Sequence, residues 1–190
     1  MLLRGFAVAT AEYAAAVDVV AAAAPFRHLQ TPGGRPMSAA MTNCGALGWH
    51  SDARGYRYAR VDPLSGLAWP AMPSIFLELA QRAAAEAGYL NFLPDACLIN
   101  RYAGKAKMGA HRDADERDFS QPIVSVTLGA AATFLWYGQL RSGPAVKIRL
   151  QPTDVLVWGG AARRGYHAVG QAEGAAAGAV RINLTFRKAG

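Results

Sequence analysis

Arg181-Ile182-Asn183-Leu184-Thr185-Phe186-Arg187 alternates strictly between polar and apolar side chains, which is the period of a β-strand with two different faces. Ile182, Leu184 and Phe186 share one face; Arg181, Asn183, Thr185 and Arg187 share the other. Such a strand is either half-exposed with solvated arginines, or turns its arginines into an interior that must hold an anion. Working back along the chain, short strand patterns begin at Ala96 and recur at Ile123 to Leu128, Ala132 to Tyr137, Ala145 to Leu150 and Val155 to Trp158, separated by turns. Lys147 and Arg149 alternate with Val146, Ile148 and Leu150, as a strand with one wet face requires. A run of strands with no helices between them argues for a barrel or sandwich. Two helices are expected earlier: one capped by Thr10 and running to about Ala23 before Pro25, the other from Pro73 to Gly88. Met1 to Ala9 reads as an opening strand or loop, and short strand patterns follow Gly34 to about Tyr58; the class is therefore mainly β with flanking helices (α+β), in a single domain spanning residues 1–190, both helices preceding the barrel strands.

Composition sets the outer bounds. An apolar share of 52% excludes a disordered chain, and a net charge of +7 with pI near 9.8 favours a polyanionic partner, although a plain basic surface is the alternative. Cys44 and Cys97 are too few for a disulfide framework and fit a reducing, cytoplasmic setting. The apolar stretch from Ala14 to Ala24 is short for a membrane span and has Glu12 and Asp18 in or beside it, so no membrane association is expected.

His111-Arg112-Asp113 and the distant His167 supply two imidazoles and a carboxylate. On a strand His111 and Asp113 share a face, and this ligand set is the facial triad of non-haem Fe(II) oxygenases, which leaves positions open for co-substrate and dioxygen. Each part has a bland reading: the pair as surface groups, His167 after Tyr166 as a loop or core histidine, the arginines as a solvated face. Their order along the chain makes the joint reading sharper, since a dicarboxylate such as 2-oxoglutarate would meet Arg181 and Arg187 with one carboxylate each. Asp115 repeats the spacing and would face the same pocket. In Leu47-Gly48-Trp49 and Tyr56-Arg57-Tyr58, aromatic and cationic side chains are interleaved, which suits base stacking beside phosphates as well as simple packing under a loop. His28, His50 and Trp158 fit no motif and read as surface, supporting or core groups. Lys105 and Lys107 could reach phosphates or be solvated.

The stretches Met37 to Gly45, Pro94 to Tyr102, Pro122 to Gly129 and Asn183 to Arg187 resemble the AlkB family of Fe(II)/2-oxoglutarate-dependent nucleic-acid demethylases over nearly the whole chain. The resemblance implies a double-stranded β-helix (a cupin-like jelly roll) as the catalytic core at 96–188, with a nucleotide-recognition lid at 25–60. It implies that His111, Asp113 and His167 hold Fe(II), and that Arg181 and Arg187 bind 2-oxoglutarate with help from Asn183, Thr185, Asn100, Arg101 and Tyr102. Dioxygen would be the other co-substrate, and 2-oxoglutarate would leave as succinate and carbon dioxide. The substrate would be 1-methyladenine or 3-methylcytosine in single- or double-stranded DNA, with RNA as a further case, and the methyl carbon would leave as formaldehyde. Trp49 would stack on the flipped base opposite His111, with Tyr56, Arg57, Tyr58, Asp115 and Arg141 around it. A monomer is the default expectation. The loop Gln171 to Ala179 is short and rich in alanine and glycine. Two other readings are a dioxygenase acting on a protein or small molecule, and a jelly-roll binding module without turnover.

Overall fold

The computed structural model describes all 190 residues. In chain order the elements are β1 (Leu2–Leu3), α1 (Thr10–Ala23), β2 (Ala40–Gly45), β3 (Gly48–Asp52), β4 (Gly55–Ala59), α2 (Ser74–Glu86), β5 (Ala96–Tyr102), β6 (Met108–His111), β7 (Ile123–Gly129), β8 (Ala132–Gly138), β9 (Val146–Leu150), β10 (Val155–Trp158), β11 (Tyr166–Ala172) and β12 (Arg181–Arg187). The major sheet has the order β1-β10-β7-β12-β5-β2, the minor sheet β6-β11-β8-β9, and β3 pairs only with β4. From β5 to β12 the chain repeatedly passes between the two sheets, and every pairing is antiparallel. This is the wrapped connectivity of a jelly roll.

Both faces of β12 are covered. Leu184 and Phe186 pack with Phe76, Leu79 and Ala83 of α2 and Val17 and Val20 of α1, in a core between the helices and the major sheet. Tyr13, Val17 and Val20 are the buried side of the alanine-rich α1, spaced four and three residues apart, one stripe of a helix. A second core of Leu98, Ile123, Phe134, Leu150, Trp158 and Val169 fills the space between the sheets. The polar face of β12 therefore looks into protein: Arg181 is 1% exposed and Arg187 6%.

Several expectations need correction. Thr10 is the first helical residue and caps nothing; Ala9 occupies the cap position without a side-chain hydrogen bond. The major sheet is not confined to the strands after Ala96: the opening strand β1 pairs with β10, and β2 pairs with β5. Within 25–60, residues 40–45 form an edge strand of the major sheet, and the β3–β4 hairpin pairs with no strand outside itself. Two contacts root that hairpin. The Asn43 amide donates to the Trp49 carbonyl at 3.0 Å and accepts from the Trp49 N–H at 2.9 Å, imitating a strand neighbour. Gly48 lies against the Trp69 ring so closely that a Cβ would come within 2.3 Å of it.

Candidate active site

Strand β6 ends at His111, and β11 lays His167 directly opposite it, with ring centroids 4.4 Å apart. Asp113 lies just beyond the strand rather than on it, yet its carboxylate comes within 3.8 Å of both imidazole Nε2 atoms. The ligand atoms of His111, Asp113 and His167 all fall within 4.8 Å of one another. Asp113 Oδ2 is buried and has no hydrogen-bond partner. Two imidazoles and a carboxylate oxygen converging on one point fit a small divalent cation that takes nitrogen and oxygen ligands.

The electrostatics prepare these ligands. Burial pushes the His167 imidazole down to about 4 against the pull of Asp113, so it is neutral and its lone pair is available at neutral pH. Burial would raise the Asp113 carboxyl, but Arg187, His167 and His111 outweigh it and hold the group well below the usual carboxylate range. Phe134 stacks on His167 at 5.4 Å and Trp158 meets it edge-on at 5.3 Å, fixing the ring. Trp158 is thus core, as expected, although its buried indole N–H has no partner.

Beside this cluster, β12 presents Arg181, whose only protein hydrogen bond runs from Nη2 to Thr127 Oγ1 at 3.0 Å, while Nε and Nη1 are buried without partners. Burial lowers its pKa, and the Tyr102 ring, 5.2 Å from the guanidinium, is no counter-ion. A buried guanidinium without an anion is costly, so this end of the cavity fits a carboxylate. Asn100, with an unpaired buried Oδ1, and Tyr102 stand on β5 beside it; Asn183 and Thr185 bond each other at 3.0 Å on β12. Arg187 lies 3.1 Å from Asp113 and 3.2 Å from Glu116. Burial would lower its pKa, but these carboxylates hold it above its ordinary value.

All these groups open into one cavity of about 290 Å³, with Trp49, Tyr56, Tyr58, Asp115 and Arg141 also on its wall. Trp49 stacks on Tyr56 across the hairpin at 5.6 Å and donates its indole N–H to Asp115 at 2.7 Å. Asp115 therefore orients an aromatic ring. Arg141 is exposed and its Nε reaches the Ala110 carbonyl at 3.4 Å.

Two expected residues lie elsewhere. Arg101 is out of phase with Asn100 and Tyr102; it is exposed on the other side of β5, over a shallow groove beside α1. Arg57 alternates with Tyr56 and Tyr58 and forks onto Asp52 at 2.7 and 2.8 Å. His50 is 2% exposed with an unpartnered Nε2, a buried group of the hairpin rather than a surface one. His28 is bonded to the Met37 carbonyl at 2.9 Å, and Lys105 and Lys107 are exposed. Two charged residues that sequence reasoning passed over are central: Glu116 and Arg163, each with a side chain only 2% exposed, pair at 3.0 Å. Arg163 also donates to the backbone carbonyls of Asp113 and Gln121, bracing the segment that carries the carboxylate ligand.

Residues 1–187 match the 2OG-Fe(II) oxygenase superfamily, and the chain belongs to it. It is an Fe(II)/2-oxoglutarate-dependent dioxygenase, with dioxygen as second co-substrate. It is 50% identical over 176 residues (91% of this chain, 82% of the relative) to the alpha-ketoglutarate-dependent dioxygenase AlkB of Salmonella typhimurium. To the AlkB of Escherichia coli it is 48% identical over 194 residues (100% of this chain, 90% of the relative). The solved structure of OsALKBH1 superposes with a TM-score of 0.79 at 27% identity, covering 98% of this chain and 95% of that one. No helix is long and apolar enough to cross a membrane.

Proposed function

We propose that this dioxygenase removes methyl groups oxidatively from N-alkylated bases of DNA, with 1-methyladenine and 3-methylcytosine as substrates, and so repairs alkylation damage by direct reversal. The observation that carries the reading is the cavity itself: a His-Asp-His cluster, a buried guanidinium without an anion, and a stacked aromatic pair line one cavity. The relatives named AlkB, and the plant proteins named DNA N(6)-methyladenine demethylases, support the same substrate class. RNA carrying the same lesions is a further substrate under this proposal, since base stacking does not read the sugar.

In this reading His111, Asp113 and His167 hold Fe(II), Arg181 takes one carboxylate of 2-oxoglutarate with Asn100 and Tyr102, and Arg187 takes the other. Fe(II) held there would supply, with 2-oxoglutarate and dioxygen, the oxidising power to hydroxylate the N-methyl carbon, the 2-oxoglutarate leaving as succinate and carbon dioxide. The protein's part is geometric. Trp49 offers a ring face on which an extruded base stacks, and His111, 37% exposed in its side chain, forms the wall opposite. Asp115 holds the indole in place. Phe134, Trp158 and Val169 keep the inner wall apolar, which excludes water from the reacting methyl. The hydroxymethyl product then separates into formaldehyde and the unmodified base. One chain supplies every group named, so a monomer suffices, and two free thiols suit work in the reducing cytoplasm.

The test is mass spectrometry of a single-stranded oligonucleotide carrying 1-methyladenine, incubated with Fe(II), 2-oxoglutarate and ascorbate beside a His111→Ala variant. Loss of one methylene mass, dependent on 2-oxoglutarate and absent in the variant, is expected. An unchanged oligonucleotide alongside continued succinate formation would transfer the chemistry to a protein or small-molecule substrate.

A further inference from the structure

Glu116 sits where three parts of the site meet. Its Oε1 accepts the Tyr58 hydroxyl of the hairpin at 2.8 Å and lies 3.2 Å from Arg187 Nε of β12. Its Oε2 accepts from Arg163 at 3.0 Å. Arg163 in turn donates to the Asp113 carbonyl at 3.0 Å and lies over the Phe119 ring at 5.2 Å. A carboxylate only 2% exposed would be expensive alone; here Arg163 offsets its charge through one oxygen, and the other oxygen is left to Tyr58 and Arg187. That oxygen is shared between the hairpin, which frames the base, and the arginine read above as a co-substrate ligand.

We propose that Glu116 is a positioning residue that latches the hairpin to the co-substrate site, so that the alkylated base and 2-oxoglutarate each strengthen the binding of the other. The inference rests on the proposed assignment of Arg187 to a 2-oxoglutarate carboxylate. The physical ground is shared ordering. When 2-oxoglutarate fixes Arg187, the Glu116 carboxylate is held in place and the Tyr58 hydroxyl meets a rigid acceptor. When a base draws the hairpin down, Tyr58 does the same for Arg187. Whichever ligand arrives first bears the ordering cost, and linkage makes the benefit reciprocal. No other residue of the hairpin bonds to this network: Arg57 turns to Asp52, and Trp49 reaches only Asp115 and the backbone-pinning Asn43. The Tyr58–Glu116 hydrogen bond is thus the single polar tie between the hairpin and the Arg187 site.

Glu116→Ala is a poor probe because it would leave two buried guanidinium groups short of a carboxylate. Tyr58→Phe cuts only the hairpin arm, and Glu116→Gln keeps the shape while removing the charge. The experiment is calorimetric titration of 2-oxoglutarate into the protein loaded with Mn(II), a stand-in that blocks turnover, with and without saturating single-stranded oligonucleotide containing 1-methyladenine. In the wild type the oligonucleotide should tighten 2-oxoglutarate binding by roughly 5- to 10-fold. In Tyr58→Phe the factor should fall to about 1 while 2-oxoglutarate affinity without oligonucleotide stays within about twofold of wild type; Glu116→Gln should lose the factor too, and the double variant no more than either alone. A role confined to holding Arg163 would leave the Tyr58→Phe factor intact, and that result overturns the latch. So does a wild type that binds both ligands independently, while the demethylase reading stands. A wild type that binds no 2-oxoglutarate overturns both the Arg187 assignment and the latch.

Discussion

The floor of the cavity and its rim are built on opposite principles. On the floor, Arg181, Asn183, Thr185, Arg187 and His167 are 1–6% exposed, on strands whose partners on both sides fix them. On the rim, Tyr56 is 47% exposed, Asp115 and Arg141 are exposed, and the hairpin that carries the stacking ring pairs with no strand outside itself. The floor performs one reaction on one co-substrate, so rigidity costs it nothing. The rim must admit a polymer and pass a base inward, so its contacts are few and local. The contrast implies that floor variants act on the co-substrate chemistry and on the balance of buried charge, whereas rim variants change only what is bound.

The largest break is at the metal cluster. Asp113→Ala should reduce succinate formation to background with or without oligonucleotide, checked by mass spectrometry of the co-substrate. Next comes acid. His167 has its folded pKa near 4, below the ordinary 6.5, so between these values the unfolded chain takes up a proton that the folded chain refuses. The metal-free protein should therefore hold this contribution, on the order of 3 kcal/mol, above about pH 6.5 and lose it as pH falls toward 4. Thermal unfolding across that window measures the loss, and His167→Asn should flatten the profile.

Arg181→Met separates the floor's two duties. Removing a buried charge that lacks an anion should leave the melting temperature unchanged or raise it, while the KM for 2-oxoglutarate rises by about 10- to 100-fold for the lost charge-assisted hydrogen bonds. On the rim, Trp49→Ala should raise the KM for the oligonucleotide by about 5- to 100-fold, the worth of one stacked base, and leave the KM for 2-oxoglutarate alone. The smallest effect belongs to Arg101→Ala, which should leave that KM within about twofold, because the side chain stands on the far side of β5. A large effect there would mean that floor and rim are not the only places where ligands are read.

What could be read from the sequence was whatever depends on local period. The two faces of β12, the helix spans of α1 and α2 and the bounds of β7, β8, β9 and β10 follow from alternation or from helical spacing, and the structure keeps them to within about a residue or two. The same period, applied to Asn100-Arg101-Tyr102 and Tyr56-Arg57-Tyr58, places both arginines on the face opposite their neighbours, and the cavity is lined by the neighbours alone. Glu116 could not be found that way, since in Asp113-Ala114-Asp115-Glu116-Arg117-Asp118 it looks like one more solvated acid. Its burial is decided by Arg163, 47 residues on, and by Tyr58, 58 residues back. The partners of β1 and β2 are illegible for a similar reason: each joins the sheet through a distant strand, and nothing within either segment announces it.

The two-sidedness of β12 also governs how this chain can change its length. One residue inserted between Asn183 and Leu184 would exchange the faces of everything on one side of it, setting the Thr185 hydroxyl against the Phe76 ring, which Phe186 now meets edge-on at 6.1 Å, and the Phe186 ring where Arg187 now lies beside Asp113. No later repair in β12 could undo that without a compensating deletion in the same strand. Descendants of this sequence can therefore lengthen or shorten freely at a turn such as 63–67, whose residues are all exposed, while β12 must evolve by substitution alone.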